Sequence, residues 1–337
     1  MDVPVDDFHA AYQQAASQHS TYSEYALLRE LYANQKNSDL LPYLIHSAIE
    51  VRYYDDAVAY MNILLSEGTL FEKIEPSVFI EVLLSVDELT LSVLANIKAL
   101  VYDYTQAGLL TEQQQNFFFA LIAFSKGDID NYGYFVETLT GEYLPRKVSY
   151  DRAKAAVFQY AEPPLYYLDG LLALDLFTRG WYTLSRLTAQ RLLAVDPNYV
   201  LTYQLLSYTN LYTHKPGRAV PYLEKLMQLD PPNEQLYRFL LGVAHYEDKN
   251  RAASILAFRK VTDEQYQADT QRYLMLLQLE IEDSEEFVTA VEQLLVLPDL
   301  TPFDFYTLFD RLYYDEQHSD FAQEVFAVAP DVAQQID

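Results

Sequence analysis

The chain of 337 residues carries 49 acidic and 23 basic side chains, a formal charge of −26, and 50% of its residues are hydrophobic. A surface this negative repels phosphate backbones and anionic headgroups, which sets aside nucleic-acid and membrane-surface roles, and the apolar content sets aside global disorder. With no cysteine, disulfides, thiolate zinc sites and cysteine nucleophiles are excluded, and 9 glycines and 14 prolines are too few turn formers for a protein built of hairpin sheets.

Residues 1–20 are polar and glutamine-rich and read as a tail or loosely docked cap. The opening Met1-Asp2-Val3-Pro4 lacks the basic and apolar regions of a signal peptide, and no stretch of about eighteen apolar residues follows. The expectation is a soluble protein without direct membrane insertion. It is cytoplasmic by its lack of a targeting signal, or exported if the chain is a mature form.

Thr21 and Glu24 form a capping box, and Tyr25, Leu28, Leu31 and Tyr32 recur at helical spacing, which predicts a helix to about Ala33. Apolar stretches around 40–51 and 55–65 predict a helical hairpin. Helix-length segments then continue between the breakers Gly68, Pro76, Asp87, Gly108, Asp128, Pro145, Pro163-Pro164 and Gly180, about sixteen helices in all. Thr301, Pro302 and Asp304 open a further helix to about Tyr314.

A fixed spacing runs through the later half. Asp196-Pro197 recurs as Asp230-Pro231 after 34 residues, and Gly180 to Pro197 reads as a turn followed by an amphipathic helix. Ala173, Gly180, Tyr182, Ala189 and Leu192 fall on repeat positions. Tyr203, Leu206, Ser207, Ala219, Leu223 and Leu226 follow in the next unit. Tyr237, Leu240, Gly242, Ala253, Ala257 and Phe258 follow in a degenerate third, with Gly242 one place out of register. Small residues let two antiparallel helices approach, and large apolar ones fill the gap between them. Weaker matches occur at Tyr54, Ala57, Met61 and Leu64, and at Ala120, Gly127 and Leu139.

On these residues the chain resembles the tetratricopeptide repeat superfamily, with two departures: Ser185 stands where the family has alanine, and Asp169 where it has a large apolar residue. The resemblance implies an all-α fold, a right-handed superhelical array of antiparallel helix hairpins. Within it, residues 21–160 form degenerate hairpins, 161–282 more regular repeats and 283–337 capping helices.

Other chemistry finds little support. The six histidines include no pair three or four residues apart, so a histidine metal site is not expected. Asp128-x-Asp130 begins like a calcium loop, but Tyr132 replaces an oxygen ligand and Leu139 the closing glutamate. The acidic run from Glu280 to Glu286 reads as a helix start capped by Ser284. No nucleophile elbow, phosphate loop or dinucleotide fingerprint is present, so neither catalysis nor a cofactor is predicted.

The compositional excess is tyrosine, with 30 residues beside a single tryptophan. In the resembled family the first helix of each hairpin lines the concave groove, which here implies Tyr167, Phe177, Gln204, Tyr208, Tyr212, Arg238, His245 and Tyr246. Gly170, Leu174 and Leu205 occupy sites where a carboxylate clamp would need polar groups, so capture of chaperone tails is not expected. The predicted function is a non-enzymatic scaffold or adaptor binding a protein or peptide, with Tyr208, Tyr212, Arg238 and Tyr246 as its hot spots. Two alternatives are a helical carbohydrate-binding or carbohydrate-active protein, which the lone, turn-placed Trp181 disfavours, and an architectural subunit that self-associates.

Overall fold

The computed structural model describes residues 21–157 and 166–281. The tail at 1–20, the Ser284 cap, the helix opening at Thr301 and the C-terminal capping helices from 283 lie outside the described residues. Among the described residues there are sixteen α-helices, three short 3-10 turns and no strand. None of these helices is long and apolar enough to cross a membrane.

Contacts divide the chain after Thr213 into two compact units. In chain order the first holds α1 (Thr21–Gln35), α2 (Leu41–Glu50), α3 (Tyr54–Ser66), the single turn α4 (Leu70–Lys73), α5 (Pro76–Leu83) and α6 (Leu91–Gln106). It continues with α7 (Glu112–Ser125), α8 (Ile129–Glu137), α9 (Leu144–Val157), α10 (Tyr166–Thr178), α11 (Tyr182–Val195) and α12 (Val200–Tyr212). The second holds α13 (Pro216–Leu229), α14 (Glu234–Glu247), α15 (Arg251–Phe258) and α16 (Glu264–Ile281). Within each unit consecutive helices pack on one another.

Local signals explain the boundaries. Pro76 and Pro216 take first-turn positions, where the missing amide would be unsatisfied anyway. Thr111 and Gln114 close a capping box on α7. Asp128 caps α8 by accepting from the Asn131 amide at 3.2 Å, so the sequence that begins like a calcium loop is a hairpin turn after Gly127. Gly180, with φ +84°, makes the turn between α10 and α11 in the left-handed region that glycine enters freely. His214 and Lys249 hold the same backbone conformation 34 and 69 residues later, at φ 56° and 60°.

The repeat register carries into packing. The Ser185 hydroxyl donates to the Ala173 carbonyl at 2.8 Å across the α10/α11 hairpin, which accounts for serine where alanine is usual. In the second unit Ser254 donates to the Gly242 carbonyl at 2.8 Å, again twelve residues back. Gly242 is therefore in step with the rest of its own hairpin, and Ser254, fully buried, takes the small site that the 34-residue count assigns to Ala253. One extra residue is absorbed before Gly242, in the stretch opened by the 3-10 turn Pro231–Asn233.

Helix α11 does more than pack on its neighbours. Its Thr183 hydroxyl donates to the Ser85 carbonyl at 2.7 Å, and Arg186 Nη2 lies 2.9 Å from an Asp87 carboxylate oxygen. Arg191 donates to the carbonyls of Phe124, at 3.0 Å, and Ser125, the last residues of α7. Helix-end carbonyls lack intrahelical donors, and a guanidinium there satisfies them while opposing the negative end of the dipole. Burial lowers the Arg191 pKa and raises that of Asp169, and each charge opposes the other's shift. The carboxylate standing where the repeat usually has an apolar residue thus serves the half-buried arginine.

Two glycines separate packing from backbone effects. A Cβ on Gly242 would come within 2.6 Å of the buried Phe258 ring, whereas one on Gly180 meets nothing within 4 Å. In urea unfolding Gly242→Ala is expected to cost about 2 kcal/mol through overpacking and Gly180→Ala about 1 kcal/mol through strain. Asparagine, which tolerates the left-handed region, should recover most of the loss at 180 and none at 242.

Candidate functional site

Three of the residues expected to line the groove come together in the first unit. Phe177 of α10 packs edge-on to Tyr212 of α12 at 5.5 Å between ring centroids and lies 6.3 Å from Tyr208. Tyr182, the first residue of α11, stacks on Tyr212 at 5.4 Å with the rings 16° from parallel, and meets Phe177 edge-on at 5.3 Å. Aromatic pairs at these separations hold one another in place beyond what area burial supplies. The cluster is not sealed, since Tyr212 stays 45% exposed.

A cation from far back in the chain completes it. Arg52, in the turn between α2 and α3, places its guanidinium carbon 5.0 Å from the Tyr182 ring centroid and 4.8 Å from that of Tyr212. Tyr54, which opens α3, stands beside them: burial raises its hydroxyl pKa, the Arg52 charge opposes that shift, and Tyr182 and the Glu81 carboxylate add to it. Arg52 escaped the sequence reading, although a signal was present. It precedes Ala57 by five residues, as Gly180 precedes Ser185, so a long cation stands where the repeat wants glycine.

The remaining positions are placed as follows. Tyr167 belongs to a separate group in the first unit, 5.0 Å from Tyr166 and 5.3 Å from Tyr199. Tyr199 occupies the space over Gly170, where an added Cβ would meet its hydroxyl at 2.8 Å, and burial pushes its pKa up to about 12. The site where a clamp would need a polar side chain is therefore filled by a tyrosine ring. Gln204 is half-buried on α12.

In the second unit Arg238 is engaged by Glu234 of its own helix, its Nε donating at 2.9 Å. His245 is half-buried, and Tyr246 packs edge-on to Tyr273 of α16 at 5.1 Å. Counted from Gly242, Tyr246 matches Leu211 and Glu247 matches Tyr212. Trp181 is 8% exposed with its indole edge-on to Phe117 at 6.0 Å, which leaves no open indole among the described residues for a sugar face.

No family model matches the chain, and no curated protein matches it. Among solved structures it is similar to the crystal structure of MamA at 20% identity and a TM-score of 0.40, over 49% of this chain and 95% of that one. It is similar to the Cut9-Hcn1 hetero-tetramer of APC/C at 13% identity and 0.34, over 94% of this chain and 54% of that one. It is similar also to the TPR2AB domain of yeast Sti1 in its pHSP90 complex at 13% and 0.28, over 85% and 98%. The fold described above rests on the chain's own contacts.

A second polar cluster stiffens the first unit. Asp175 of α10 receives Arg179 Nε at 3.0 Å and the Ser149 hydroxyl at 2.8 Å, with Arg146 Nη1 at 3.6 Å. Arg146 also lies over the Phe117 ring at 5.5 Å. Its pKa falls to about 10, chiefly through burial and then the neighbouring Arg179 charge, while Asp175 opposes the fall. With side-chain exposures of 12% for Arg146 and 21% for Asp175, this pair is largely out of water. Asp175→Asn is therefore expected to cost about 3 kcal/mol by stranding a buried cation. Arg179→Met, at a more exposed position, should cost under about 1 kcal/mol in the same denaturation assay.

Proposed function

We propose that this chain is a non-enzymatic helical-repeat scaffold or adaptor, and that the face formed by Phe177, Tyr182, Tyr208 and Tyr212 grips an extended segment or helix of a partner protein. The observation that carries this reading is the convergence of Phe177, Tyr208 and Tyr212 on one half-open, mutually braced aromatic cluster. Rigid tyrosines give contact area at low entropic cost and keep a hydroxyl for the partner's backbone. A helical repeat supplies such a face without a closed pocket, which suits a segment of protein better than a small molecule.

We assign Tyr167 and Gln204, on α10 and α12 of the same unit, to the margin of this face. Arg238, His245 and Tyr246 are assigned to a separate contact of the second unit, weaker because Arg238 and Tyr246 are already engaged within their own unit.

Site-specific photo-crosslinking in the native host tests the assignment. A benzophenone side chain at position 212 should give a discrete adduct with another protein, whereas one at Val195, 62% exposed on α11, should give none. Adducts from 195 without adducts from 212 would overturn the reading. With the partner in hand, Tyr212→Ala should lose about 2 kcal/mol of binding, with little change in melting temperature because the ring is already half exposed.

A further inference from the structure

Arg52 presents donors that no described residue uses. Its guanidinium carbon lies within about 5 Å of the ring centroids of both Tyr182 and Tyr212, yet among the described residues the group makes no hydrogen bond and no ion pair, in a chain with 49 carboxylates. The side chain is more than half covered. Contact with aromatic faces offsets part of the cost of covering a charge, but it engages the π-cloud and leaves the N–H groups along the guanidinium edge unspent. The hydroxyls of Tyr54, Tyr182 and Tyr212 likewise have no hydrogen-bond partner among the described residues. A fixed cation and several hydroxyl donors thus gather at one edge of the aromatic face.

The chemistry that meets such a group is a carboxylate. Its two oxygens match the guanidinium fork, and a charge-assisted pair formed in a partly dry site is stronger than one in water. Among the described residues no acidic side chain fills the role, although acidic residues outnumber basic ones more than two to one in the sequence. The overall charge of −26 opposes a partner that is acidic throughout. One acidic residue within an otherwise neutral or basic segment satisfies both the local donors and the general field.

We propose that Arg52, with the hydroxyls of Tyr54 and Tyr182, receives an aspartate or glutamate side chain of the partner segment, whose methylenes lie along the face of Tyr212. This rests on the reading of that face as the binding surface and gives it a specificity. The carboxylate fixes the register of a segment that the aromatic cluster would otherwise accept in several positions.

Selection from a random phage-displayed dodecapeptide library on the full chain tests both layers separately. Peptides enriched on the wild-type protein should share one acidic position and should bind Tyr212→Ala poorly. Enrichment on Arg52→Met, which keeps the packing on the rings but not the charge, should retain the apolar preferences and lose the acidic one. A synthetic peptide from the wild-type selection should bind Arg52→Met about tenfold more weakly. Its glutamine analogue should bind both proteins alike. If Arg52→Met does not fold, Arg52→Lys serves, with the acidic preference kept and the affinity lowered a few-fold. Peptides that need Tyr212 but show no acidic position, or that bind Arg52→Met undiminished, would overturn the Arg52 proposal and leave the groove reading standing. Peptides indifferent to Tyr212→Ala would overturn the groove reading, and the absence of any enrichment would count against both.

Discussion

The first unit depends on what α11 does with its polar side chains. In a simple helical array each hairpin touches only its neighbours, and stability is a sum of local terms. Here Thr183, Arg186 and Arg191 reach carbonyls and a carboxylate some 66 to 99 residues earlier in the chain. Each tie completes something otherwise incomplete. The end of α7 needs donors, the loop at 85–87 needs its carbonyls satisfied, and a covered guanidinium needs acceptors. The arginines are costly to desolvate and strongly satisfied once desolvated, so the arrangement tolerates little change.

Arg52 follows from the same long-range closure. The tie at Ser85 and Asp87 and the packing of α7 on α11 bring the first hairpins to the α10–α12 region, and the α2/α3 turn meets Tyr182 and Tyr212 there. The aromatic face is thereby built from residues some 160 positions apart, between Arg52 and Tyr212. Its geometry is set by the fold of the unit and not by a single hairpin. Such pre-organisation would let the proposed binding face act without first ordering itself.

Much of this was legible in the residues, because the relevant signals are short-range. Helix spacing in 21–33, the proline and glycine breakers, and the 34-residue interval each report on neighbouring turns of helix, and the described helices follow them. The twelve-residue step from Ala173 to Ser185 was legible too, but its recurrence at Gly242 and Ser254 was hidden by one inserted residue that shifts every later position. Phe177, Tyr208 and Tyr212 follow from the groove positions of the resembled repeat, and the structure brings the three rings together. Arg52, Arg186 and Arg191 were missed because their partners are remote in sequence, and no local pattern says which of many scattered charges will meet. Tyrosine counts were equally silent on role: Tyr237 is fully buried, with its hydroxyl 2.6 Å from Asp230 Oδ2, while Tyr212 is half open.

The claim that α11 makes the first unit one cooperative body is tested most directly by native-state hydrogen exchange under increasing denaturant. The account predicts that the amides of α7 and α11 exchange through one shared opening, with the same free energy and the same dependence on denaturant. They should lose that coincidence when Arg191 is replaced by methionine. Separate openings for the two helices in the wild-type protein, with α11 following only α10 and α12, would contradict it.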